Sequence, residues 1–200
     1  LPEGWSAGDI QWPRPKRLPV GPLMDYGYEG KLWLLSRITA PADARPGETV
    51  MLEAAVSWLV CERICIPEEA ALRVTLRIGE GPRDPAVAQD FAAARALLPT
   101  PSPWPVSHAL GNFIDLHVAA PALAAARPKA VEFYPLDAGA IRNPAPQLVG
   151  YTDAGLVLRL TPGAKASTLT ALNGVLVLTG SDGQGQALTI NAPQGLVPAA

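Results

Sequence analysis

The sequence predicts an all-β protein built as an antiparallel sandwich, and three observations carry that expectation. Apolar and polar residues alternate with a period of two in several short runs, which marks strands with one buried and one wet face. Turn signals such as Asp153-Ala154-Gly155, Asn173-Gly174 and Asp182-Gly183 separate the later runs. The chain also holds 22 prolines and 18 glycines in 200 residues, a density of breakpoints that suits short strands better than long helices.

Taken in order, Leu32-Trp33-Leu34-Leu35 is the first apolar run that reads as a strand. Val50, Leu52, Ala54, Val56, Trp58 and Val60 then occupy the even positions of a half-buried strand, with Glu53 and Ser57 among the odd ones. Leu72, Val74, Leu76 and Ile78 alternate with Arg73, Thr75 and Arg77. Asp84-Pro85 followed by an alanine-rich run to Leu98 and closed by Pro99 supplies an N-cap, a proline at the first helical position and a proline stop, so a single helix is expected there. Pro99-Thr100-Pro101-Ser102-Pro103-Trp104-Pro105 reads as a stiff extended connector. Alternation returns at residues 114–118, 156–160, 175–178 and, more weakly, 188–190. The expected organisation is a β domain over residues 1–83, the helix and Pro-rich connector over 84–107, and a second β-sandwich domain without redox residues over 108–200.

Composition narrows the function classes. With 48% hydrophobic residues the chain can bury a core without a staple. A net charge of −2, with no basic run longer than Arg14-Pro15-Lys16-Arg17, gives no nucleic-acid footprint. No apolar run reaches the roughly 18 residues of a membrane helix. The chain starts Leu1-Pro2-Glu3 and reads as a soluble piece of a longer precursor.

The two cysteines, Cys61 and Cys65, lie between the two clearest strand runs. Four steps of extended chain span roughly 13 Å, whereas bonded cysteines need Cα atoms about 4.4–6.8 Å apart. If they bond, the chain must turn at Glu62-Arg63-Ile64, which puts the pair at a hairpin tip. So small a loop contributes less than the roughly 3 kcal/mol of a 15-residue loop, which favours redox use over a staple. A hairpin clip and a metal site remain open. A metal site would need His108, His117, Met24 or Met51 as further ligands, and none has diagnostic spacing. Glu62, Glu68 and Glu69 are expected to raise the thiol pKa values, and Arg63 to lower them.

Trp58-Leu59-Val60-Cys61-Glu62-Arg63-Ile64-Cys65-Ile66-Pro67, together with Asp25-Tyr26-Gly27-Tyr28-Glu29-Gly30-Lys31, resembles the periplasmic N-terminal region of DsbD-type transmembrane thiol:disulfide interchange proteins. Its ScsB-like branch, linked to copper tolerance, is the most similar. That resemblance implies an immunoglobulin-like sandwich with no bound cofactor. It implies periplasmic electron transfer: a thioredoxin-fold domain of the same membrane protein supplies reducing equivalents, which pass to periplasmic thioredoxin-like clients. The membrane would be reached only through other parts of the full-length protein. By position, Cys65 would form the mixed disulfide and Cys61 would resolve it. Tyr26, Tyr28 and Glu29 would form a cap loop, with Tyr28 as the lid. The best-known members put five residues between the cysteines and a Phe in the cap, where this chain has three residues and Tyr-Glu. The alternatives are a non-enzymatic immunoglobulin-like binding module whose disulfide merely stiffens a loop, and a Cu(I)-binding module.

Overall fold

The structure is a computed structural model that describes residues 1–62, 64–79, 81 and 84–198. Its strands are β1 (Ser6–Gln11), β2 (Lys16–Val20), β3 (Leu23–Gly27), β4 (Leu35–Thr39), β5 (Thr49–Cys61), β6 (Cys65–Arg77), β7 (Thr100–Pro101), β8 (Val106–Leu110) and β9 (Ile114–Val118), followed by β10 (Ala130–Pro135), β11 (Leu148–Thr152), β12 (Gly155–Leu160), β13 (Ala171–Thr179) and β14 (Gly185–Pro193). Helices α1 (Pro85–Ala96) and α2 (Pro121–Ala126) interrupt them. The all-β expectation holds. Contacts divide the chain into two units, Leu1–Pro13 with Gly30–Leu97, and Arg14–Glu29 with Leu98–Ala200.

The first unit contains two antiparallel pairs. β1 pairs with β4, Ser6 opposite Thr39 and Gln11 opposite Leu35, with a register shift between Ala7 and Ile10. The Ser36 hydroxyl donates to the Gly8 carbonyl at 2.6 Å beside that irregularity. β5 and β6 form a hairpin of 13 residues per strand, closed at its base by Gly47 N–H to Ile78 O at 2.7 Å and Ile78 N–H to Glu48 O at 2.8 Å. Alternation sorts its faces. Val50, Leu52, Ala54, Val56, Trp58 and Val60 stand opposite Leu76, Val74, Leu72, Ala70, Glu68 and Ile66 on one face. The other face pairs Glu53 with Arg73, whose Nε lies 2.7 Å from the carboxylate. Helix α1 starts as its sequence dictates. Asp84 Oδ1 accepts from the Ala86 N–H at 2.9 Å, and Pro85 opens the first turn.

The second unit holds the sandwich core. Sheet order β10-β13-β14-β7 faces β11-β12-β9-β8, and both contribute to one buried cluster that includes Phe133, Leu176 and Leu188 from the first sheet and Ile114, Leu116, Leu156 and Leu158 from the second. β14 and β8 meet through a bridge between His108 and Gln194. The β2–β3 hairpin belongs to this unit.

Four local readings are corrected here. The run Leu32-Trp33-Leu34-Leu35 is not itself a strand, since β4 begins only at Leu35. The expected single helix is joined by α2, a six-residue turn of Pro-Ala-Leu-Ala-Ala-Ala with proline at its start and Arg127 in the left-handed conformation after it (φ 44°). Asn173-Gly174 is no turn. It lies inside β13, because a side chain at 174 would run into the Phe133 ring and the Tyr134 carbonyl, so glycine is needed there for close packing. The Pro-rich connector is extended as expected, but β7 is also a strand that pairs in parallel with Leu188–Thr189 of β14.

Gly155 opens β12 with φ +146°, and a Cβ there would overlap the Val118 carbonyl of neighbouring β9. Gly155→Ala is therefore expected to destabilise the second unit by roughly 1–3 kcal/mol, measured as a lower urea midpoint with an unchanged slope.

Candidate functional site

The cysteines are positioned by backbone pairing alone. β5 and β6 keep one register from Thr49↔Arg77 to the tip, without a bulge, so Cys61 falls directly opposite Cys65. Their Cα atoms are 4.1 Å apart and the sulfurs are joined by a bond of 2.10 Å. The turn expected between them is present, with the Glu62 N–H donating to the Ile64 carbonyl at 3.3 Å.

Alternation places both cysteines on the same hairpin face as Leu59 and Pro67, and Val60 and Ile66 on the reverse face. Both cysteines are exposed. The tip around them is apolar and open: Ile64 is 72% exposed, Leu59 63% and Ile66 53%. An accessible disulfide at the end of a continuous ladder, beside exposed apolar side chains, can exchange with a thiol brought to it by another protein surface.

Of the charged neighbours singled out from the sequence, Glu62 follows Cys61 directly and Glu68 stands opposite Trp58, both exposed. Arg63 lies outside the described residues.

The tyrosines are set by different contacts. β2 and β3 pair from Lys16↔Gly27 to Val20↔Leu23, and Lys16 Nζ reaches Glu29 at 2.8 Å across the open end of that hairpin. Tyr26 stands edge-on to Tyr134, with ring centroids 5.0 Å apart, and packs beside Val175 and Val177. Burial pushes the Tyr26 phenol above its ordinary pKa, with the Arg17 guanidinium acting the other way. Burial raises Tyr134 further, reinforced by the Glu132 carboxylate. Tyr28 is half-buried and is raised by burial too.

Residues that sequence reasoning did not single out hold this hairpin. Arg17 donates to the carbonyls of Asn143 at 2.8 Å and Ala145 at 3.4 Å. The Asn143 amide donates to the Met24 carbonyl at 3.3 Å. Gln147 clamps the β10 edge, accepting from the Phe133 N–H at 2.7 Å and donating to the Phe133 carbonyl at 2.9 Å. No local pattern could have joined Arg17 to a carbonyl 126 residues away.

Neither histidine takes part in a metal arrangement here. His108 Nδ1 lies 2.8 Å from the Ala192 carbonyl in the sandwich, and His117 is buried in β9, its pKa lowered by desolvation. Among the described residues, no helix is long and apolar enough to cross a membrane.

Residues 1–76 match the family model described as thiol:disulfide interchange protein DsbD, N-terminal, and this supports an N-terminal DsbD-type domain over that stretch. No curated protein and no solved structure matches the chain. The family match and the Cys61–Cys65 bond together support a thiol:disulfide exchange domain.

Two outcomes follow from this geometry. Because the bond closes a loop of four sequence steps, replacing both cysteines by Ala is expected to lower stability by less than about 3 kcal/mol in urea; a larger loss would make the bond a staple. With Tyr26 and Tyr134 raised in the fold, the unfolded chain loses its phenol protons first, at about pH 10. Stability is thus fully present below that pH and is lost as the pH climbs toward the folded values. The melting temperature is expected to fall between pH 9.5 and 11.5 (roughly the window set by the free phenol), and less steeply in Tyr134→Phe.

Proposed function

We propose, from an N-terminal DsbD-type domain over residues 1–76, that this chain relays reducing equivalents in the periplasm through the Cys61–Cys65 couple. The donor is a thioredoxin-fold domain of the same membrane protein, and the acceptors are thioredoxin-like client proteins. The single observation that carries the proposal is an exposed disulfide at the tip of an unbroken hairpin. The redox unit lies within residues 1–83, residues 84–107 connect it onward, and residues 108–200 carry no redox group.

The chemistry balances without a cofactor. A donor thiolate attacks Cys65 Sγ, the 61–65 bond breaks, and Cys61 leaves as a thiolate that takes up a proton. The donor's second thiol then attacks its own sulfur in the mixed disulfide. That releases reduced Cys65 and leaves the donor oxidised, so two electrons and two protons have moved. In the forward step Cys65 attacks a client disulfide and Cys61 resolves the mixed species. Glu62, next to Cys61 in the chain, favours the protonated form of the reduced thiols, so exchange depends on a docked partner that positions the sulfurs. Tyr28, in the cap loop with Tyr26 and Glu29, acts as the lid that keeps stray thiols from the bond.

Cys61→Ala leaves Cys65 as the only thiol. Mixed with an oxidised thioredoxin-fold protein, this variant is expected to give a cross-linked species on a non-reducing gel that dithiothreitol dissolves. Cys65→Ala is expected to give none. No cross-link with either variant overturns the relay.

A further inference from the structure

Along an antiparallel ladder, successive residues turn their main-chain groups toward the partner strand and away from it by turns. Two hydrogen bonds fix that parity in the β5–β6 ribbon. The Ile78 N–H donates to the Glu48 carbonyl at 2.8 Å at the base, and the Glu62 N–H donates to the Ile64 carbonyl at 3.3 Å at the tip. Both lie in even-numbered rows of the register, so the even residues of the two strands bond one another. The odd residues, Cys61 and Cys65 among them, turn their N–H and C=O groups to the outer edges.

Among the described residues β6 pairs with β5 alone, so the main-chain groups of Cys65 face an open edge. A chain laid antiparallel on that edge can exchange both hydrogen bonds with Cys65. Its residue opposite Cys65 then stands about 5.5 Å away at Cα, within the roughly 4.4–6.8 Å that a disulfide spans, with its side chain on the cysteine face. If that residue is a cysteine, its sulfur, Cys65 Sγ and Cys61 Sγ form one row across three strands. Thiol exchange needs such a row, because attacking and leaving sulfurs take opposite sides of the sulfur between them. Pro67 limits the pairing. It is the next outward-facing residue of β6 and has no N–H to give. β5 has no such stop, since Cys61, Leu59 and Ser57 all turn an N–H outward, and a strand there would pair along the whole edge.

We propose that Cys65 holds its redox partner by a short antiparallel main-chain bridge on the open edge of β6, and that Pro67 keeps this bridge short so that the partner can leave. The occupant is an extended segment of a thioredoxin-fold partner that carries the exchanging cysteine among apolar residues. Ile64 and Ile66, on either side of Cys65 in the chain, are 72% and 53% exposed and suit such company. This rests on the relay proposed above and deepens it. Main-chain bonds ignore side-chain identity, so one edge can serve a donor and different clients. Pro67 is a positioning residue that acts through the main chain.

The test uses the full chain with Cys61→Ala, in which Cys65 is the sole thiol, and a blocked apolar peptide whose central cysteine carries a thionitrobenzoate leaving group. The Cys65 thiolate attacks the peptide sulfur, a Cys65–peptide disulfide forms, and coloured thionitrobenzoate leaves with the bonding electrons. Each rate is divided by the same peptide's rate with mercaptoethanol, a thiol without a main chain. The peptide is expected to react severalfold faster than its twin methylated on the cysteine nitrogen, the scale of one or two hydrogen bonds. Adding Pro67→Ala restores the missing donor and is expected to widen that advantage severalfold. Should the alanine weaken the strand, Pro67→Val carries the same prediction. Equal rates for the two peptides overturn the bridge and leave the relay to be judged by the cross-linking of Cys61→Ala. An advantage that neither Pro67 variant widens overturns the placement on β6. A Cys65 thiol that reacts with neither peptide overturns relay and bridge together.

Discussion

Everything proposed for this protein depends on the pairing of β5 with β6 in one register. Each residue of β5 has a fixed partner in β6, and that ladder runs without a bulge to the tip. A slip of one residue would send Cys61 and Cys65 to opposite faces of the ribbon. The base of the hairpin resists such a slip through its two backbone hydrogen bonds between the 47–48 turn and Ile78, and the Glu53–Arg73 ion pair marks the same register half-way along. The sulfurs meet because main-chain hydrogen bonds far from them leave no other arrangement.

For the proposed relay this ribbon has to lose its disulfide without losing its shape, which is what separates a working couple from a staple. The loop enclosed by the bond is too short to restrain the unfolded chain appreciably. The ladder that aligns the cysteines is complete without it. Reduction then exposes two thiols already facing one another, so closing the bond again requires little search. The open apolar rim of Leu59, Ile64 and Ile66 adds what the sulfurs lack, a surface by which another protein can be recognised.

The second unit divides labour differently. Its core is a two-sheet sandwich in which Phe133, Leu158, Leu176 and Leu188 are sealed from water, and its outer surface is used to hold a hairpin from an earlier part of the chain. Arg17 does this well because a planar donor fork can serve two carbonyls at once, and a carbonyl pair in a pinned loop does not move to meet it. Gln147 plays a comparable part at the sheet edge. Its amide takes the place of a neighbouring strand beside Phe133 and blunts an edge that would otherwise be open to pairing.

Period-two alternation made β5, much of β6, β9, β12 and a central stretch of β13 and of β14 readable in advance, and with them the bend that joins the cysteines. Those features are local, since a strand's pattern and a tip between two strands are written in consecutive residues. Helix α1 was equally plain from Asp84 and Pro85. Asn173-Gly174 deceived, because a glycine kept for the nearness of the Phe133 ring looks the same in sequence as one kept for a turn. The short strands β1 to β3 and the grip of Arg17 on Asn143 and Ala145 could not be read at all. β2 and β3 pair with each other across a short turn but carry no clean alternation, whereas the carbonyls that Arg17 reaches lie far along the chain, and a hydrogen bond to a main-chain carbonyl leaves no mark on the identity of the residue that accepts it. Local order fixed what each segment became, and long-range packing chose which segments would hold one another.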